Sequence, residues 1–353
     1  MADPLEVARE RLNRFRFSQE ISFDSRSIER LPMASNRPVG RGLVASKALT
    51  PALFKVVESS CKNLSITDRS IISTIVYPAA EMQARCRLDS LGCVIEVTSS
   101  LVERLNGTEL QFVIGHEIGH FLLDHHFAPL PPAQSIEHFK QSRAREISAD
   151  RAGLAACGDV KAAMRAILKT FSGLSDGQLR YDTSSFINQA FADQNIVNVA
   201  SREGDTHPTF AVRARCLVRF SHVLNHEDRS DFESVLRKVE ERTVNDFLQY
   251  SEAFVDKRTT EIADDLALWM WMKRIVRSGS MSADDTAKFT NRFGAELSQK
   301  VQSQFNGMSL IEVEDFVQHR LSDIESVLEK RTPNELSAIV SSIENELVEY
   351  GLT

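Results

Sequence analysis

The sequence predicts an α+β fold: a mostly helical domain whose small sheet packs on one central helix, followed by an all-α C-terminal domain. Three observations carry this. Residues 70–77 are a short β-branched run stopped by Pro78, and residues 93–97 alternate inward and outward, so two or three strands precede residue 100. A helical stretch from Thr108 then carries Leu110, Val113, Ile114, Ile118, Phe121 and Leu122 over a broad surface, the pattern of a buried helix. Beyond about residue 230 the periodicity is helical throughout.

Taken in order, residues 4–16 read as a short helix with an exposed Arg-rich face, and 17–48 as irregular, broken by Pro32, Pro38, Gly40 and Gly42. Thr50-Pro51 opens a helix to about residue 62. The strand at 70–77 is followed by a strand region at 82–97 that turns at Asp89–Gly92. A brief helix at 99–105 closes at Asn106-Gly107, and Thr108 with Gln111 three residues on suggests a capping box for the next helix. The loop at 128–132 separates it from a helix over 135–157, closed by Gly158, and an amphipathic one over 159–172. Residues 173–205 are polar and long for a loop, which suggests a lid or mobile segment. Thr206-His207-Pro208 leads into a helix ending near His222, and a polar break at 225–230 suggests a domain boundary. Helices are expected at 231–256, 259–278, 283–304, 309–330 and 333–350, with Trp269, Trp271 and Met272 in their core. The expected division is therefore an N-terminal segment at 1–59, a central domain at 60–225 and a helical domain at 230–353.

Composition narrows the function classes. With 26% charged and 42% hydrophobic residues, the chain of 353 residues is an ordinary globular protein, and no apolar run approaches a membrane span. Residues 1–225 carry 27 basic and 24 acidic side chains, and residues 226–353 carry 15 and 25. Neither part has a dense basic patch, which argues against nucleic-acid binding. The acidic excess reads as a solvated helical surface. The start lacks the apolar stretch of a secretory signal, and the five cysteines are scattered with no CxxC pair. A reducing, cytoplasmic setting is expected.

The chemistry concentrates at Gly115-His116-Glu117-Ile118-Gly119-His120. On a helix, side chains four apart share a face, so two imidazoles can converge on one metal ion while Glu117 lies beside it as a base. Two histidines do not close a catalytic zinc site, which takes three protein ligands and a water. Glu146 and Asp150, again four apart, lie on the following helix. One can complete the metal shell, and the other can hold a ligand histidine by its far nitrogen. His125 and His126 fall off the ligand face and suit the helix C-terminus as polar groups. His207 begins the pattern His-Pro-x-x-x-x-Arg, which ends at Arg213.

These three elements, Gly115-His116-Glu117-x-x-His120, Glu146-x-x-Ala149-Asp150-Arg-x-Gly153 and Thr206-His207-Pro208 with Arg213, resemble the zinc metallopeptidases of the HtpX and CAAX prenyl protease type (peptidase family forty-eight) over about residues 60–222. The resemblance implies a gluzincin with one zinc ion per chain. His116, His120 and Glu146 would be its ligands, Glu117 the base, and Asp150 the support behind His116. It further implies that His207 and Arg213 come near the metal, where they stabilise the oxyanion or His207 caps the zinc in a resting state. An edge strand near 83–88 would hold a protein or peptide substrate, and residues 230–353 would serve a regulatory or partner-binding role. The short gap between His120 and Glu146 is closer to that of the compact metallopeptidases that cleave repressors, but these lack the His-Pro-x-x-x-x-Arg element. The rival of another class is a metal-stabilised, non-catalytic binding or adaptor protein, for which Glu117 would have no use.

Overall fold

The computed structural model describes residues 5–21, 42–89, 92–128, 130–182, 185, 201–202, 204–279 and 281–351. The fold is α+β, and the chain divides into two units: Met1–Leu130 with Lys140–Ala253, and Pro131–Phe139 with Phe254–Thr353.

The first unit holds a four-stranded mixed sheet in the order β1-β2-β4-β3, with β1 at Leu43–Val44, β2 at Ile72–Tyr77, β3 at Ala84–Asp89 and β4 at Gly92–Thr98. β3 and β4 are antiparallel, with Ala84 opposite Val97 and Asp89 opposite Gly92. β2 runs parallel to β4, and the two-residue β1 pairs antiparallel with β2 from within the stretch expected to be irregular. Gly92 has φ +142°, and a Cβ there would collide with Ile71, so the hairpin needs glycine at this position. Among the described residues, β3 is an outer strand with one main-chain edge unpaired in the sheet. Its Arg85 and Arg87 both reach Glu96 of β4.

Eight helices complete this unit among the described residues: α1 (Glu6–Phe15), α2 (Pro51–Asn63), α3 (Ser99–Arg104), α4 (Gly107–Leu122), α5 (Ile136–Cys157), α6 (Val160–Ser172), α7 (Phe210–Leu224) and α8 (Phe232–Asp246). Leu12, Leu53, Val57, Ile95, Ile114, Ile118, Leu154 and Phe220 share one buried core. The expected separate segment at 1–59 is therefore part of this unit, because α1 and α2 bury their apolar faces in that core. The expected boundary at 225–230 is likewise only a turn. Phe232 of α8 packs 6.4 Å from Phe15, and Arg11 pairs with Glu227, so the division falls after Ala253 instead.

α4 begins two residues earlier than Thr108 and Gln111 suggested: Asn106 and Glu109 form the capping box. Glu109 is fully buried and carries more than the cap. Its Oε2 accepts from Lys169 Nζ at 2.7 Å and its Oε1 from Arg165 Nε at 3.0 Å, which ties the start of α4 to α6.

α4 and α5 meet along a seam of small residues. A Cβ on Gly119 would lie 2.6 Å from Ala152 Cβ, one on Gly153 would lie 2.7 Å from Phe112 O, and one on Gly115 would collide with Ala156 Cβ. The two backbones are therefore closer than ordinary side chains permit. α7 packs on α5 through a second cluster of Ala144, Ile147, Ala211, Val212 and Cys216 with Phe17 and Phe247.

In the second unit, α9 (Ala253–Arg277) is followed by α10 (Ala283–Phe293), α11 (Ala295–Gln304), α12 (Leu310–Arg331) and α13 (Leu336–Glu349). Trp271 is its centre, with Phe289, Phe293 and Tyr350 within 6.0 Å, so the tryptophan pair is core as expected. Two helix boundaries differ from expectation. A π turn at Phe247–Glu252 joins α8 to α9 where a break was expected near 257, and Gly294 at φ +87° splits the helix expected at 283–304. Glu137, in the segment Pro131–Phe139, accepts from Asn334 N at 3.0 Å, Asn334 Nδ2 at 2.6 Å and Glu335 N at 3.2 Å. Much of the expected lid at 173–205 and of the irregular stretch at 17–48 lies outside the described residues.

The seam makes a testable demand. Gly119→Ala should lower stability by roughly 1–3 kcal/mol in equilibrium urea unfolding, because α4 and α5 must separate. Adding Ala152→Gly removes the colliding atom and should restore most of the loss. A single variant as stable as the parent would refute the close packing.

Candidate metal centre

α4 presents His116 and His120 from consecutive turns, with their Nε2 atoms 3.1 Å apart. Across the seam, α5 places Glu146 Oε2 3.3 Å from His116 Nε2 and Glu146 Oε1 3.3 Å from His120 Nε2. Among the described residues these three side chains form the one group of His, Cys, Asp or Glu whose ligand atoms all lie within 4.8 Å of each other.

Their partners decide which atoms face the centre. His116 Nδ1 lies 3.0 Å from Asp150 Oδ1 and donates to it, so its Nε2 carries the lone pair. His120 Nδ1 is also engaged, 2.8 Å from His125 Nδ1. Glu146 Oε2 is buried and makes no hydrogen bond. Converging lone pairs repel each other unless a proton or cation stands among them. The electrostatics agree. Burial disfavours a charged His116, but Asp150 and Glu146 outweigh it and push the imidazole up to about 10. Glu146 is held well below the usual carboxylate range; burial opposes this, and the charges of the adjacent His120 and His116 prevail. A divalent cation with nitrogen and carboxylate ligands fits this set.

Asp150 is held in turn. Arg213 of α7 donates Nε to Asp150 Oδ2 at 2.8 Å and Nη2 to Asp150 Oδ1 at 2.6 Å, a two-pronged pair. Burial opposes ionisation of Asp150, but Arg213 and His116 keep it below its usual range. Arg213 thus stands behind Asp150 and also lines the cavity beside His207. His207 does reach the group: its Nε2 is 3.3 Å from Glu146 Oε2, and its Nδ1 is 2.9 Å from Thr206 Oγ1. The turn before it is fixed by buried Arg143, which donates to Asp205 O at 2.7 Å and pairs with Glu252 in the π turn. Glu117 is buried on α4 beside His116. A cavity of about 690 Å³ opens next to His207 and Arg213, with Ile167, Phe171 and Phe210 on its apolar side.

His125 is where the sequence reading failed. A helical wheel continued past Leu122 puts it off the ligand face, but α4 stops there. Asp124 adopts φ +54°, and His125 N returns to His120 O at 3.0 Å while Asp124 N binds Phe121 O at 3.2 Å. This Schellman turn folds His125 back against His120. The signal available was a helix end marked by no glycine, with an aspartate able to take the left-handed conformation. Glu20, from the N-terminal segment, lies 3.4 Å from His125 Nε2 and was not foreseen at all.

Residues 86–139 match the model of peptidase family M48. This segment is similar to the M48 metallopeptidases. It contains β4, α4, His116, Glu117 and His120, whereas Glu146, Asp150, His207 and Arg213 lie beyond the match. Compared with curated proteins and with solved structures, the chain finds no match. M48 peptidases depend on a metal, and the group at His116, His120 and Glu146 is a place for one. No described helix is long and apolar enough to cross a membrane.

Glu20 supplies a pH test. Burial favours its neutral form, yet His125 and Arg16 hold it down to about 2 from an ordinary 4.5. A carboxylate with a lowered folded pKa stabilises fully above its unfolded value and loses that contribution as pH falls towards the folded one. The stability gap between the parent and Glu20→Gln should therefore narrow as pH falls from about 5 towards 2–3, read by urea unfolding at each pH. A gap that stays constant would reject the buried ion pair.

Proposed function

We propose that this protein is a zinc-dependent endopeptidase holding one zinc ion through His116, His120 and Glu146. The observation that carries it is the convergence of two Nε2 lone pairs, both on the segment that matches family M48, with a buried Glu146 oxygen from the following helix, beside the buried Glu117. When bound, zinc supplies a Lewis acid that polarises the scissile carbonyl and makes water a nucleophile at neutral pH. Glu117 takes the proton from the attacking water and passes it to the leaving amine, the general acid–base role. Asp150 fixes the tautomer and orientation of His116, and Arg213 fixes Asp150. The unpaired edge of β3 holds the substrate extended through main-chain hydrogen bonds, and the cavity beside His207 accepts an apolar side chain near the scissile bond. His207 rests against Glu146 and competes with substrate for the centre.

The second unit is the proposed regulatory part. Its segment Pro131–Phe139 links the helix that bears His116 and His120 to the helix that bears Glu146. A partner bound to residues 254–353 would thus act on a stretch continuous with α5. The cysteine usage and the absence of an apolar span among the described helices support a cytoplasmic setting.

Glu117→Gln should keep close to one equivalent of zinc by metal analysis while hydrolysis of an unfolded protein falls by about a hundredfold or more. Retained hydrolysis would defeat the assignment. His207→Ala should raise turnover of a short unstructured peptide severalfold. A fall would move His207 to the oxyanion, and no change would remove it from both roles.

A further inference from the structure

Each ligand histidine of a metal centre needs its far nitrogen fixed, so that the near one presents a lone pair in a set direction. For His116 this is Asp150, backed by Arg213. For His120 the atom at Nδ1 belongs to another imidazole, His125, at 2.8 Å. Two neutral imidazoles sharing one hydrogen bond between Nδ1 atoms have two arrangements. In one, His125 donates and His120 keeps its proton on Nε2, which closes Nε2 to a metal. In the other, His125 carries its proton on Nε2, accepts at Nδ1, and leaves His120 Nε2 bare.

The far side of His125 decides between them. Its Nε2 is buried and faces the carboxylate of Glu20, whose Oε2 is 3.4 Å away. A carboxylate accepts and does not donate, so it selects the second arrangement. Glu20 is itself tightly held: Arg16 Nη1 donates to its Oε2 at 2.6 Å, and Ser148 Oγ of α5 donates to its Oε1. Ser148 Oγ in turn accepts from Phe17 N at 2.8 Å. The turn that carries His125 is clamped from both sides, by Arg16 on Leu123 O at 2.9 Å and by Arg145 on His125 O at 3.0 Å. Glu20 and His125 are 7% and 8% exposed, so water does not compete for these atoms.

We infer that Glu20 and His125 are positioning residues for His120, a carboxylate–imidazole–imidazole arm that sets its tautomer and aims its Nε2 at the metal. This rests on the reading of His120 as a ligand. It assigns a role in metal binding to a residue 100 positions before His120 and outside the family match.

The test uses the full chain loaded with Zn²⁺. In histidine-labelled protein, nitrogen–proton correlation spectra should show His125 protonated on Nε2 and His120 on Nδ1. His125 protonated on Nδ1 would overturn the inference, and this measurement needs no variant to fold. His125→Phe keeps a ring of similar size without the nitrogens. Competition with a chromophoric chelator should show zinc held about ten- to a hundredfold more weakly than in the parent. Glu20→Gln should weaken it in the same direction. Lower unfolding midpoints with unchanged zinc affinity would reduce both residues to structural ones and reject the arm. His116→Ala is the control for the underlying site: if it still binds one equivalent as tightly as the parent, the metal reading fails, whatever His125 does.

Discussion

The close approach of α4 and α5 is the constraint on which everything else depends. Helices separated by ordinary side chains run with axes 8–10 Å apart. Here Gly115 and Gly119 face Ala152, Gly153 and Ala156, so the backbones come together where the ligands need them. The glycines weaken an isolated helix by about 1 kcal/mol each relative to alanine. Burial of Phe112, Ile114, Ile118 and Phe121 in the common core offsets this, and the Asn106–Glu109 cap with Lys169 beneath it anchors the N-terminal end of the helix. Fold and site are in this sense one packing arrangement.

The electrostatics around the centre repeat one design twice. Behind His116 stands an aspartate gripped by Arg213; behind His125 stands a glutamate gripped by Arg16. In both cases a buried carboxylate, costly by itself, is made tolerable by a guanidinium and then used to orient an imidazole. The sources differ. Asp150 is four residues from Glu146 on the same helix, whereas Glu20 arrives from the N-terminal segment and is fixed by Ser148, between the two.

What could be read from the sequence follows from locality. His116, Glu117 and His120 share a helix, as do Glu146 and Asp150, so spacing alone brings His116 and His120, and Glu146 and Asp150, to one face each. β2 was legible from its β-branched run and β4 from its alternation, whereas the two-residue β1 lay in a stretch that read as irregular; the tryptophans of the second unit were legible from their apolar period. Residue types alone could not show that Gly115 and Gly119 line a seam, since glycine in a helix does not say what it faces. His125 was misplaced because the wheel assumed a helix that Asp124 ends. The cap was shifted because Thr108 and Asn106 both qualify, and only the burial of Glu109 by Lys169 decides. Glu20 carries no local pattern at all. Its meaning comes from tertiary contact across more than 100 residues of chain.

The outer strand β3 faces a choice that its side chains help to settle. An open main-chain edge suited to an extended peptide is equally suited to the edge of a second copy, the route by which sheets aggregate. Arg85 and Arg87 stand on β3 two residues apart and converge on the single carboxylate of Glu96, leaving that face with more positive charge than it can neutralise. Two such edges brought together would set like charges side by side. A peptide with other side chains meets no such repulsion, so the same strand can stay open to visitors while discouraging its own kind.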